Sequence, residues 1–229
     1  MKQKFLILII LFATFLSCGN TAKNQTVSDS EISTEGIEFR KLRKLFVVGD
    51  FDGDGIIDTL FQHNYSWLTK TEIDSFPYQE DLGVLIRWFD SQESDLYLIL
   101  NKSNTDTLHF GGGQIFGLYC LINIGDINSD GKDEIALVID YLDWSNLNSC
   151  LIYTLCDNKW TLLKRFNIHE GQFEFYEDET PIDYQSIKEI RGYLEKHNGE
   201  WHYLDYLEYM AKETEEDMEM KPLKLEKCK

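Results

Sequence analysis

Two nine-residue stretches of this chain place oxygen-bearing side chains at alternate positions and a glycine at the sixth. The first is Asp50-Phe51-Asp52-Gly53-Asp54-Gly55-Ile56-Ile57-Asp58. The second is Asp126-Ile127-Asn128-Ser129-Asp130-Gly131-Lys132-Asp133-Glu134. Carboxylate or amide oxygens at positions 1, 3 and 5 can converge on one hard cation. The glycine permits the sharp turn, and the backbone carbonyl at position 7 can add a ligand. A carboxylate at position 9 closes the shell. The pattern predicts one calcium ion held by Asp50, Asp52, Asp54, the Ile56 carbonyl and Asp58. It predicts a second held by Asp126, Asn128, Asp130, the Lys132 carbonyl and Glu134. An EF-hand opens in the same way but needs a bidentate Glu at position 12. Position 12 is Phe61 in one copy and Leu137 in the other, and neither can bind a cation.

The flanks say what holds the loops. Leu45-Phe46-Val47-Val48 precedes the first and Ile56-Ile57-Asp58-Thr59-Leu60-Phe61 follows the aspartates. Leu121-Ile122-Asn123-Ile124 precedes the second and Glu134 to Ile139 follows it. Short apolar and β-branched runs bounded by turns read as strands, so each unit is strand, cation loop, strand. With Phe116-Gly117 upstream of the second loop, that unit resembles the FG-GAP or VCBS-type repeat of integrin α subunits and many bacterial surface proteins. Val138-Ile139-Asp140 stands near the place of the family's Gly-Ala-Pro, and Arg40-Lys41 where the first copy should carry Phe-Gly. The resemblance covers residues 39–65 and 116–168. It implies structural calcium and propeller-type blades.

Other chemistry has little support. His63, His109, His169, His197 and His202 show no ligand spacing. There is no nucleophile elbow and no phosphate-binding loop; Gly111 to Gly113 reads as a turn. A glycosidase needs two placed carboxylates beside a cleft, and among 40 acidic residues no spacing singles out such a pair. Trp67, Tyr141 and Trp144 could stack on sugars, although burial in a β core is the commoner fate of such residues. The chain is therefore read as a non-enzyme with no catalytic residue. Its ligand is an unidentified protein or glycan; the alternative is an enzyme or accessory factor acting on extracellular polysaccharide or protein.

The address is read from the first residues. Met1-Lys2-Gln3-Lys4, an apolar run from Phe5 to Leu16 and Ser17-Cys18 fit a signal peptide over 1–17. The run is too short for a membrane span, which needs about 20 apolar residues. Phe15-Leu16-Ser17-Cys18 looks like a bacterial lipobox, which implies lipid on Cys18 and a place in the cell envelope outside the cytoplasmic membrane. Residues 18–36 then form a polar tether with no apolar periodicity. The membrane is contacted through the lipid only. Processing before Cys18 removes Lys2 and Lys4 and takes the formal charge from −18 to −20. Such a surface repels nucleic acid. Cys120, Cys150, Cys156 and Cys228 remain. They are read either as buried thiols or with Cys120 paired to Cys150 or Cys156.

Strands are expected near 39–49, 56–65, 82–90, 94–101, 117–125, 134–141, 149–156 and 160–168, with a polar loop over 66–81. Asp157-Asn158-Lys159 should join the last two strands tightly. The expected fold is mainly β: two propeller-blade-like four-stranded units, each with one calcium loop between its first and second strands, over 37–170. Two blades cannot close a propeller, which takes four to eight, so the C-terminal segment or a partner must cover the edges. A small α+β segment follows over 171–229. It begins with a strand-like Gln172 to Tyr176 and a break at Asp178 to Pro181. A short helix from Asp183 to Glu189 comes next. Asn198-Gly199 predicts a hairpin running into a short helix. The charged residues 213–229 are expected to fray.

Overall fold

The computed structural model describes residues 37–78, 81–173, 183–212 and 219–228. The expected signal peptide, Cys18 and the tether lie outside the described residues. So do 174–176 of the expected strand, the break at 178–181, and residues 213–218 and 229.

The described chain is mainly β. Its strands are β1 (Phe39–Lys41), β2 (Phe46–Gly49), β3 (Asp58–Ser66), β4 (Thr71–Glu72), β5 (Ser75–Pro77), β6 (Ser94–Leu100) and β7 (Leu108–Gly111). Then come β8 (Ile115–Gly125), β9 (Glu134–Tyr141), β10 (Leu147–Cys156), β11 (Lys159–His169), β12 (Leu194–His197), β13 (Glu200–Tyr203) and β14 (Lys221–Pro222). The helices are α1 (Leu82–Ser91) and α2 (Tyr206–Met210). Among the described residues no helix is long and apolar enough to cross a membrane.

Two antiparallel meanders carry the architecture. The first runs β2-β3-β6-β7, with β4 added to the end of β3. The second runs β8-β9-β10-β11. In each, an aspartate-rich loop joins the first strand to the second, as the sequence predicts. The first meander has a different membership from the one expected. Residues 82–90 form α1, not a strand. Leu82, Leu85, Ile86 and Phe89 fall at helical spacing, and the Asp81 side chain caps the helix by accepting from the Gly83 N–H at 2.8 Å. A short apolar run fits either period; the cap decides it. β7 supplies the fourth strand, pairing Leu108 with Leu98. The expected strand over 39–49 is broken into β1 and β2, and β1 pairs with β5 inside the stretch expected to be a loop.

The second meander is covered on both faces, which is why β9 reads as a continuous apolar run. Ile135, Leu137 and Ile139 pack with Leu60, Leu98 and Leu118 in one core. Ala136 and Val138 on the opposite face pack with Phe166, Leu194, Trp201 and Leu223 in another. Gln62 and Asn64 also point inward from β3, and both find partners. Gln62 accepts from the Leu45 N–H and donates to the Arg43 carbonyl and Asn64 Oδ1. Asn64 donates across to the Phe116 carbonyl at 3.3 Å.

The C-terminal segment covers strand edges. The Gln185 side chain accepts from the Phe46 N–H and donates to its carbonyl, pairing with β2 as an added strand would. The Asp205 carboxylate accepts from the Asn167 N–H on the outer strand β11. Asn198 and Gly199, both at positive φ, turn β12 into β13, and Asp157 and Asn158 do the same between β10 and β11. The helix expected over 183–189 is one 3₁₀ turn, Tyr184–Ser186, capped by Asp183. Gln172 and Phe173 close another such turn, Glu170–Phe173, where a strand was expected. Residues 219–228 do not fray: β14 pairs with β13, Leu223 is buried, and Cys228 is bonded to Cys156. Of the two readings, the Cys120 pairing is overturned, Cys156 is bonded to Cys228, and the buried-thiol reading holds for Cys120 and Cys150. Cys120 and Cys150 are buried thiols, each pushed above the ordinary range by burial.

Candidate metal centre

The two loops fold by one scheme. The position-1 carboxylate accepts two backbone N–H groups: Gly53 and Gly55 on Asp50, Asp130 and Gly131 on Asp126, at 2.9–3.0 Å. The position-3 oxygen accepts from position 5, Asp52 from Asp54 and Asn128 from Asp130. The position-5 carboxylate accepts from position 7, Asp54 from Ile56 at 2.8 Å and Asp130 from Lys132 at 3.1 Å. Gly55 and Gly131 sit at φ of 82° and 91°, where a side chain would be strained. Position 2 anchors each turn. Phe51 is fully buried in the first core and Ile127 packs against the second.

These bonds leave one oxygen each of Asp52, Asp54 and Asp130 without a backbone donor. Carboxylate oxygens of Asp50, Asp52 and Asp58 lie within 4.8 Å of one another, as do those of Asp126, Asp130 and Glu134. Each cluster could hold a metal ion. The predicted ligands are thus largely brought together; Asp54 lies beside the first cluster, and Ile56 and Lys132 stand at the predicted seventh positions. Asp58 is the telling member. It is only 1% exposed, and neither carboxylate oxygen accepts a hydrogen bond. A buried carboxylate without such partners is costly, and a cation at the loop centre would satisfy it.

What stands near that centre was not legible in the motif. Lys102, from the turn after β6, places Nζ 2.6 Å from Asp52 Oδ2, 2.8 Å from Asp54 Oδ2 and 2.9 Å from Asp58 Oδ1. The Asp58 contact is an ion pair. Burial works against the charge on Lys102, and the three carboxylates outweigh it, so the ammonium is held above the ordinary lysine range. The Lys102 bond, followed by the Ile56 N–H, holds Asp54 below the usual carboxylate range. In the second loop a nitrogen of the loop itself takes the corresponding place. Asn128 Nδ2 donates to Asp130 Oδ2 at 3.1 Å and Glu134 Oε1 at 2.9 Å. Rotating that amide by half a turn would present Oδ1 instead. Burial pushes Glu134 up to about 7, against N–H bonds from Ile127 and Asn128.

The loops also touch each other. The Asp50 N–H donates to Asp133 Oδ2 at 3.1 Å, and the Asp133 N–H donates to the Asp50 carbonyl at 2.8 Å. Asn123 Nδ2 bridges Asp133 Oδ2 and the Val48 carbonyl. Gly49 has no room for a side chain there, because a Cβ would meet Asn123, Asp133 and Phe51. The C-terminal segment crosses the second loop. The Glu226 carbonyl accepts from Asn128 Nδ2, and Lys227 Nζ donates to the Ser129 carbonyl at 2.6 Å.

Away from the loops, a cleft of about 370 Å³ is lined by Arg43, Phe76, Phe116, Tyr119, Asp140 and Tyr184, among others. The Arg43 guanidinium pairs with Asp140 and lies 3.6 Å from the Tyr184 ring centre. Burial pushes Asp140 up to about 6, with Arg43 and Tyr119 pulling the other way. Trp67 and Trp144, whose burial was the commoner expectation, are exposed, Trp144 to 80%. Neither Trp67 nor Trp144 lines this cleft.

No family model matches this chain, and no curated protein or solved structure matches it either.

Proposed function

We propose that the chain is a lipid-anchored, extracytoplasmic binding module of the FG-GAP or VCBS type. Its two propeller-blade-like units are each held by one structural calcium ion. The observation that carries this reading is the pair of matching loops, each with three carboxylates gathered at its centre and one of them, Asp58 or Glu134, buried. Oxygen-only donor sets of this kind suit calcium. The Cys156–Cys228 bond supports an oxidising compartment, in keeping with a lipid on Cys18. The ligand is a protein or a glycan, and the cleft beside Asp140 offers it a concave, aromatic place. Among the described residues that line the cleft the one carboxylate is Asp140, engaged by Arg43 and Tyr119. The alternative is an enzyme or accessory factor acting on extracellular polysaccharide or protein.

The test is calcium titration followed by thermal unfolding of the parent protein, with and without chelator. Two sites should fill at saturation. Each should add about RT ln(1 + [Ca]/Kd), about 2.7 kcal/mol when calcium is a hundredfold above Kd. Asp58→Asn and Asp130→Ala should each remove one site. A midpoint indifferent to chelator in a protein shown to have lost its metal would overturn the structural role.

A further inference from the structure

We propose that Lys102 is the resident cation of the first loop. A divalent ion can enter there only by displacing its ammonium, so the second loop fills first. The inference rests on the metal reading above and adds an order and a competitor to it.

Three observations carry it. The first is position. Nζ touches Asp52, Asp54 and Asp58 at 2.6–2.9 Å, within about half an ångström of calcium–oxygen distances. The same oxygens cannot close on both cations. The second is the way the lysine is held. The Asn101 N–H donates to the Thr59 carbonyl, the Thr59 N–H donates to Asn101 Oδ1, and Thr105 Oγ1 donates to the Lys102 carbonyl. The lysine backbone is thereby fixed beside the loop's exit strand, while the four-carbon stem can still swing. The third is the contrast with the second loop. There Lys132 Nζ donates to the Leu155 carbonyl and Lys227 Nζ to the loop's own Ser129 carbonyl, and neither is ion-paired with a loop carboxylate among the described residues. A divalent ion there displaces only the Asn128 amide.

Charge explains why both states are accessible. The first loop gathers Asp50, Asp52, Asp54 and Asp58, against which Lys102 supplies one positive charge. That offsets part of the repulsion and keeps the turn formed without metal. One positive charge against four carboxylates leaves the loop net negative, so a divalent ion still gains from entering. The lysine is thus a competitor that weakens the site and a substitute that preserves its shape.

Two measurements test this. Calcium binding is compared in Asp130→Ala, which isolates the first loop, and in Asp130→Ala with Lys102→Met. Removing the ammonium should tighten the first site by about tenfold. Without calcium, the Lys102→Met protein should also unfold at a lower temperature than the parent, and calcium should restore it. The second measurement needs no variant. Lysine acylation of the parent protein, read by mass spectrometry, should show Lys102 protected without calcium. Saturating calcium should raise its labelling severalfold against the exposed Lys70. Equal first-loop affinity with and without Lys102, or unchanged Lys102 labelling with both loops calcium-bound, overturns the inference and leaves the metal reading standing. Absence of calcium from both loops in the parent and in Lys102→Met overturns both.

Discussion

Gly112 and Asp140 show how single positions carry energy away from the loops. A Cβ at Gly112 would run into the Ser94 carbonyl, well inside contact distance, at the start of β6. The neighbouring Gly113 N–H donates to Ser94 Oγ at 3.0 Å, so the segment cannot back away freely. Gly112→Ala should cost about 1–3 kcal/mol, the usual penalty for overpacking, seen as a lower urea midpoint. An unchanged midpoint would mean that the bend after β7 yields. Asp140 is a different case. Its folded pKa of about 6 lies above the usual aspartate value of 3.8, so the folded protein holds the proton more tightly than the unfolded chain does. The resulting stabilisation is fully present below pH 3.8 and is lost as pH rises through about 6. Asp140→Asn should flatten the fall in stability across that window, by on the order of 2–3 kcal/mol. Parallel pH profiles for the two proteins would refute this. Neither position was legible beforehand: a glycine in a glycine-rich stretch reads as a turn, and nothing local to Asp140 announces Arg43.

Among the elements, legibility followed locality. Asn198-Gly199 and Asp157-Asn158 foretold their turns because the conformational demand and the residues that meet it are the same two residues. The ligand spacing of each loop is equally local. The helix α1 was misread because Val84-Leu85-Ile86 suits a strand as well as it suits a helix, and only Asp81 and the position of Phe89 separate the two. The last segment was misread for another reason. Leu223 and Leu225 are scattered among charges, so no window around them looks as if it packs, and the partner of the neighbouring Cys228 lies 72 residues upstream of it. Replacing Cys228 by Ser should therefore cost more than a surface substitution. A bond closing so long a stretch is worth about 2–5 kcal/mol, and its loss should also weaken the second loop, since Glu226 and Lys227, which touch that loop, immediately precede Cys228. The checks are a chemical-denaturation curve and a calcium titration of Cys228→Ser. Parent-like values in both would show that β14 alone fixes the segment.

For the molecule as a whole, the sequence foretold two loops but not their mutual contact. The periodic pattern treats them as equal members of separate units, 76 residues apart. Folding brings Asp50 and Asp133 into reciprocal hydrogen bonds and leaves Gly49 no room for a side chain between them. Lys102 escaped for the same reason. It lies 50 residues from Asp52, and only the pairing of β3 with β6 brings it near. Because the loops share a boundary, removal of calcium should lower one common unfolding transition rather than split it in two. The C-terminal bond has a further consequence. Cys156 and Cys228 close residues 157–227 into a covalent ring that contains β11, the β12–β13 hairpin and α2. A single proteolytic cut anywhere in that ring opens it without dividing the molecule: both pieces remain one covalent particle, and the nicked chain comes apart only where a reductant can reach it.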